Sequence, residues 1–273
     1  KSFIYFSIIV FSSCTENINE ELLNETYLSN VDVNFIGTLH NKGLDFVFIK
    51  IKKENRNSFS KKSISEFSLL VNQYLKEYVV ENGLSQNDIK HIMFYDNTIN
   101  ILSKTSKEEN LMNNNSFSSE LQNLLDALNG LSDSNKDSWE INDYLTYISD
   151  IENQANSSGL SDKEMFILYT GTSVAKNSLK YWNDHNAEWS QLFENTKGYK
   201  ISAKGFWDNF NWGAIGISDA AGAVGMAANL VLNGTGAAMA ATGPGGWVGI
   251  GLVVAASSIG SSATAFAAQA ITN

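Results

Sequence analysis

From Gly213 to Asn273 the chain carries 12 of its 20 glycines, 17 alanines and one charged residue, Asp219. A stretch with so little side-chain bulk and no charged face can fold only as helices laid against other helices or against lipid. Ser218 to Leu232 reads as the first helix: Ser218 is an N-cap residue, Asp219 complements the positive end of the helix dipole, and Asn233-Gly234 supplies a stop. Within it, Gly222 and Gly225 are candidate positions for helix packing or membrane contact. The connector Gly234 to Gly246 holds the one proline of the chain, Pro244, between glycines, so the chain reverses there and a second helix starts near Trp247 and runs to about Ile271. Gly245 and Gly249 form a GxxxG pair, and Ala256, Gly260, Thr264 and Ala268 are spaced by four, which leaves one face nearly free of bulk.

Two placements of this hairpin follow, packed inside a helical body or entering a bilayer. At about 1.5 Å per residue, Trp247 to Ile271 is long enough to cross a ~30 Å hydrocarbon core. Ser218 to Leu232 is too short unless it extends back through Trp212, which would put Asp219 inside the helix. Alanine, glycine and serine drive insertion weakly compared with leucine or phenylalanine, so a protein partner is favoured. Phe206, Trp207, Phe210 and Trp212 precede the hairpin and Trp247 opens its second helix; they read either as an interfacial belt or as large lids over a hairpin too thin to fill a core.

At the other end, Lys1-Ser2 precedes the apolar run Phe3 to Phe11 and then Ser12-Ser13-Cys14. A basic residue, an apolar run too short to span a bilayer and small residues at a cleavage point are the layout of a signal peptide. Phe11-Ser12-Ser13-Cys14 resembles the lipobox of the bacterial lipoprotein signal, with Phe11 where leucine is commonest. The resemblance covers 14 residues. It implies cleavage by signal peptidase II, acylation of Cys14 and anchoring in the cell envelope, and Thr15 in place of an aspartate implies the outer membrane. Cys14 is the one cysteine of the chain, so no disulfide and no thiolate metal site can form within it. The competing reading, a buried thiol in an N-terminal helix, sits poorly with the polar, acidic, tether-like stretch from Thr15 onwards (TENINEELLNE).

The 43% apolar content, with 11% aromatics, suffices for a sizeable core in one large domain or two small ones. A net charge of −10 and a single arginine, Arg56, exclude nucleic acid as a partner, because a phosphate backbone needs a basic surface. The one basic cluster, Lys50, Lys52, Lys53, Arg56, Lys61 and Lys62, reads as a solvated loop face rather than a head-group contact.

Helical spacing recurs along the body. Asn34 to Lys53 reads as helix; Ser65 to Glu81 carries the stripe Phe67, Leu70, Val71, Tyr74, Leu75, Tyr78 and Val79 and ends at Asn82-Gly83; Ser85 to Met93 is a short helix. After a polar connector over Ser103 to Ser119 come a helix through Leu121, Leu124, Leu125 and Leu128, ended by Gly130, and another through Ile141, Tyr144, Leu145, Ile148 and Ile151. Ser161 and Glu164 make a capping box, with Leu160 and Met165 as a hydrophobic staple; the helix they open runs to Trp182, and Asn183 to Phe193 forms a second short piece. Lys197 to Gly205 is a hinge-like break. The resulting division is a signal over residues 1–14, a tether over 15–33, a helical body over 34–205 and the aromatic segment with its hairpin over 206–273, in an all-α bundle.

Chemistry is sparse. His40, His91 and His185 are far apart in the chain, with no second ligand at metal spacing; His185, beside Asp184 and three residues before Glu188, reads as a solvated helix end. Gly171-Thr172-Ser173-Val174-Ala175 lacks the final glycine of a nucleophile elbow and falls in a helix, and Gly243-Pro244-Gly245-Gly246 is no phosphate loop. No catalytic residue, metal or cofactor is expected. Gly37-Thr38-Leu39-His40-Asn41-Lys42-Gly43-Leu44-Asp45 and Ser173-Val174-Ala175-Lys176-Asn177-Ser178-Leu179-Lys180-Tyr181-Trp182, with the small-residue tail, resemble an arrangement found in uncharacterised bacterial exported lipoproteins. The tail alone is similar in composition to the GxxxG helices of bacteriocins and to the hydrophobic hairpin of pore-forming colicins, families that insert into target membranes. The expectation is a non-enzymatic protein held to the envelope membrane through acylated Cys14. Its alternative is a membrane-active effector whose hairpin self-associates or inserts into a bilayer; an enzyme is the third and weakest reading and would need a cleft that brings His185 or His40 near a carboxylate.

Overall fold

Helix α1 (Val33–Lys53) forms where apolar residues recur at helical spacing behind a good cap: the Asp32 carboxylate accepts from the N–H groups of Asn34 and Phe35, and Ile36, Leu39, Leu44, Val47 and Ile51 make the buried stripe. The computed structural model describes residues 31–54, 64–85, 117–133, 139–192, 210–240 and 244–272. Cys14, the tether up to Asn30, Arg56, Lys61, Lys62, His91, Phe206, Trp207 and the Lys197–Gly205 break lie outside them, as does most of the expected helix after Ser85 and of the connector from Ser103; the last three tether residues, 31–33, instead lead into and open α1. Lys50, Lys52 and Lys53 form the last turn of α1 rather than a loop face, and Lys50 reaches Glu77 at 2.7 Å. Three cations there complement the negative end of the helix dipole.

Helix α2 (Ile64–Glu81) buries the expected stripe from Phe67 to Val79. Gly83, at φ +96°, ends it: the Leu84 N–H donates to the Val79 carbonyl and the Gly83 N–H to that of Val80, a Schellman turn with Leu84 and Val79 buried together. Helix α3 (Ser119–Asn129) is capped by Ser118 and tightens into a 3-10 turn at Gly130–Ser132. Helix α4 (Ile141–Ala155) opens on a reciprocal pair, Glu140 and Asp143. Helix α5 (Asp162–Ser190) starts at the Ser161–Glu164 capping box, with Leu160 and Met165 packed against the core. It continues unbroken past Trp182 to Ser190, where two helices were expected. Asn183 and Asp184 fall on its exposed face while Trp182 and Trp189 stay fully buried, so polarity at that point marks a solvent-facing turn and not an end.

Helix α6 (Trp212–Leu232) begins six residues before the expected Ser218 start, and helix α8 (Pro244–Thr272) begins at Pro244 rather than Trp247; a short helix, α7 (Thr235–Ala240), occupies the connector. Asn211 is the real cap of α6, its side chain accepting the Ala214 N–H at 2.7 Å, and the Ser218 hydroxyl donates back to the Ala214 carbonyl from inside the helix. Pro244 suits the first helical position because its φ is preset and its missing N–H would have had no partner there. Asp219 is therefore interior to α6, not at its end.

Among the described residues every regular element is helical, an all-α bundle as expected. Helix α6 packs on α5 and α8, α8 on α1 and α2, and α5 on α1. From Gly249 to Ala268 every residue of α8 is buried, and residues of α6 and α8 contribute to both hydrophobic clusters of the core. The two helices run in opposite senses. Asn211 exchanges hydrogen bonds with Gln269 at 2.9 and 3.3 Å, while near the middle a Cβ on Gly222 would lie 2.8 Å from the Ser258 Cα and 2.9 Å from the Ser257 carbonyl oxygen.

Candidate functional site

The single charge of the Gly/Ala segment is met at the centre of the bundle. Asp219 on α6 is fully buried, and so are His40 on α1 and Ser178 on α5. The His40 Nε2 lies 3.3 Å from the Asp219 Oδ2 without the alignment of a hydrogen bond, and the Ser178 hydroxyl donates to the same Oδ2. His40 turns its Nδ1 to the Asn41 side-chain oxygen at 3.0 Å. The Asp219 Oδ1 and the Thr170 hydroxyl are buried without a hydrogen-bond partner among the described residues. A carboxylate withdrawn from water is costly unless paired, so a histidine and a hydroxyl converging on it from two other helices is what its burial demands.

Both chain segments that supply these partners were marked out in the sequence for a different reason. Gly37–Asp45 and Ser173–Trp182 lie face to face on α1 and α5: the Asn41 amide donates to the Asn177 carbonyl at 3.1 Å, and the Tyr181 hydroxyl donates to the Asp45 Oδ1 at 3.0 Å. Gly37 leaves the room that the Asn177 side chain fills. Burial holds the Tyr181 phenol above its ordinary pKa, with Asp45 adding to the effect, so it remains a donor. Trp189 in turn donates to the Tyr181 oxygen, and Trp182 donates to Ser262 of α8 and stacks on Phe266 at 4.4 Å.

Serine, histidine and aspartate together invite comparison with a nucleophilic triad, but here the order of contact differs. A triad needs the histidine between the other two, taking the serine proton. In this cluster Asp219 is the hub and the Ser178 proton points at the carboxylate. The arrangement joins three helices and aims the Ser178 hydroxyl at the carboxylate, not at the imidazole.

The other candidate residues fall in several places. Gly222 makes the close backbone contact with α8 described above, whereas a Cβ on Gly225 or Gly245 would meet open space. Gly249 faces Met239 of α7, Gly260 faces Asn72 of α2, and Ala256 is buried. Gly222, Gly249 and Gly260 thus face three different neighbours, α8, α7 and α2. His185 stacks on Tyr181 and its Nδ1 lies 2.9 Å from the Tyr181 carbonyl oxygen; Gly171 sits in mid-helix against Val224. Trp212 and Trp247 are half-buried against the core. Among the described residues no group of three or more histidine, cysteine or acidic side chains is placed to hold a metal. The His40–Asp219 pairing was missed because the two residues are far apart in sequence; the signal that points to it is a lone charge in an otherwise uncharged segment, which must find a partner if that segment is buried. Comparison with protein families, curated proteins and solved structures finds no match for this chain.

Proposed function

We propose that the chain is a non-enzymatic, lipid-anchored protein of the bacterial cell envelope, tethered through acylated Cys14, whose helical bundle is its working part. The observation that supports a non-catalytic reading is the orientation of the buried cluster: the Ser178 hydroxyl donates its hydrogen bond to Asp219 and not to His40, so it ties α5 to α6. The anchor rests on the lipobox resemblance. Replacing Cys14 with serine is expected to move the protein from the membrane fraction to the soluble fraction and to abolish incorporation of labelled fatty acid. Retention in the membrane fraction without label would remove the anchor from the proposal.

A second reading, a membrane-active effector acting through α6 and α8, is favoured by a separate observation. By length and composition, Trp212–Leu232 and Pro244–Gln269 are long and apolar enough to cross a bilayer. The buried hydroxyls of Ser257, Ser258 and Thr264 donate to carbonyls of their own helix, so α8 would carry those bonds with it into lipid. The chain from Thr15 onwards, mixed with vesicles of phosphatidylcholine and phosphatidylglycerol, distinguishes the two readings: intact vesicles agree with the first, and dye release with the second.

A further inference from the structure

We propose that His40, Asp219 and Ser178 form a latch that holds α6 and α8 inside the bundle and keeps them out of a lipid bilayer; the proposal rests on the membrane-active reading. The two helices are bound to each other by the Asn211–Gln269 exchange and by the close approach at Gly222, so they can move as one unit. Much of what binds this unit to the rest of the bundle is apolar packing, which lipid tails replace without loss. Polar contacts across the same joint include Trp182 donating to Ser262, and His40 and Ser178 meeting Asp219. Of these, only Asp219 involves a charge on the moving unit.

That charge acts in both environments. In the bundle the carboxylate is answered by an imidazole and a hydroxyl. In a bilayer the same carboxylate would sit in the body of a spanning helix, where an aspartate is strongly disfavoured. Asp219 thus favours the bundle from both sides. Neutralising it leaves Gly213 to Asn273 with no ionisable side chain and takes the carboxylate away from the His40 imidazole of α1.

The test measures dye release from vesicles of phosphatidylcholine and phosphatidylglycerol by the full chain and by its Asp219→Asn, His40→Leu and Leu125→Ala variants, each checked for helicity. Leu125 is fully buried in the core and its truncation loosens the bundle without changing the charge of α6. Asp219→Asn is expected to raise the release rate about ten-fold over the natural chain. Leu125→Ala should stay within about two-fold, since loss of stability alone leaves the charge on α6. His40→Leu, which strips the partner but keeps the carboxylate, should release less than Asp219→Asn. A double His40→Gln, Asp219→Asn variant leaves no unpaired charge in the core and must release dye as fast as the single change, which covers poor folding of the latter. If the natural chain releases dye and neither neutralised variant exceeds Leu125→Ala, the latch is wrong and the membrane-active reading stands. If none of the chains releases dye, both fall.

Discussion

Glycines of the same helix differ in what they do, and the difference is measurable one residue at a time. At Gly222 an added methyl would meet the backbone of α8, which cannot swing aside as a side chain can. Gly222→Ala is expected to destabilise the protein by about 1–3 kcal/mol through overpacking. Three residues on, Gly225 has open space, and Gly225→Ala is expected to be neutral or to stabilise by up to about 1 kcal/mol through helix propensity. Urea unfolding followed by circular dichroism separates the two, and equal effects would contradict the close crossing. Sequence placed both glycines in one class because composition and spacing report an absence of bulk but not which neighbour uses it. Asp219 shows the same gap: its isolation among uncharged residues is visible in the chain, but His40 and Ser178 become its partners only when three helices assemble. Cys14 and its lipobox remain a matter of sequence pattern.

Helices were legible where one element carries its own signals. The stripes of α1 and α2, the Asn82-Gly83 stop and the Ser161–Glu164 box depend on residues within a turn or two of each other, and the structure has all of them. The start of α6 was misread because Ser218-Asp219 imitates a helix N-terminus, while the working cap, Asn211, follows the aromatic Phe210 and gives way to glycines that are tolerated only through packing: Gly213 against the backbone of Leu131 and Gly216 against Leu179. The opening of α5 is also a tertiary joint, since Glu164 accepts the Ser118 N–H at 2.8 Å as well as bonds from Ser161. Burial by itself would raise the Glu164 pKa, but these hydrogen bonds overcome it and hold the carboxyl below its ordinary value of 4.5. A carboxylate with a depressed pKa in the fold stabilises fully above its unfolded value and loses that contribution as pH falls through the folded one. Thermal melts from pH 7 downwards should therefore fall more steeply for the natural chain than for Glu164→Gln, which is itself about 1 kcal/mol less stable at neutral pH. Parallel curves would exclude a contribution from Glu164.

In the whole molecule, the segment with the least distinctive side chains occupies the most central place. Both core clusters draw on α6 and α8, and α8 touches α1, α2 and α5. A chain cut at Gly205 would leave the stripes of five amphipathic helices without the surface they cover, and such helices hold their shape mainly by packing. It is expected to lose its cooperative melt and to bind a hydrophobic dye; a cut chain that melts sharply would make residues 31–192 a self-sufficient fold. The enclosure of α8 also has a bearing on the order of events in the cell. A ribosome delivers α1 to α5 before the helix around which they close, so the core they share with α6 and α8 is completed only when those helices have been made. Completion of that core thus waits for α8. If the protein is exported, that delay is an advantage, because a translocation channel passes a chain that has not yet folded.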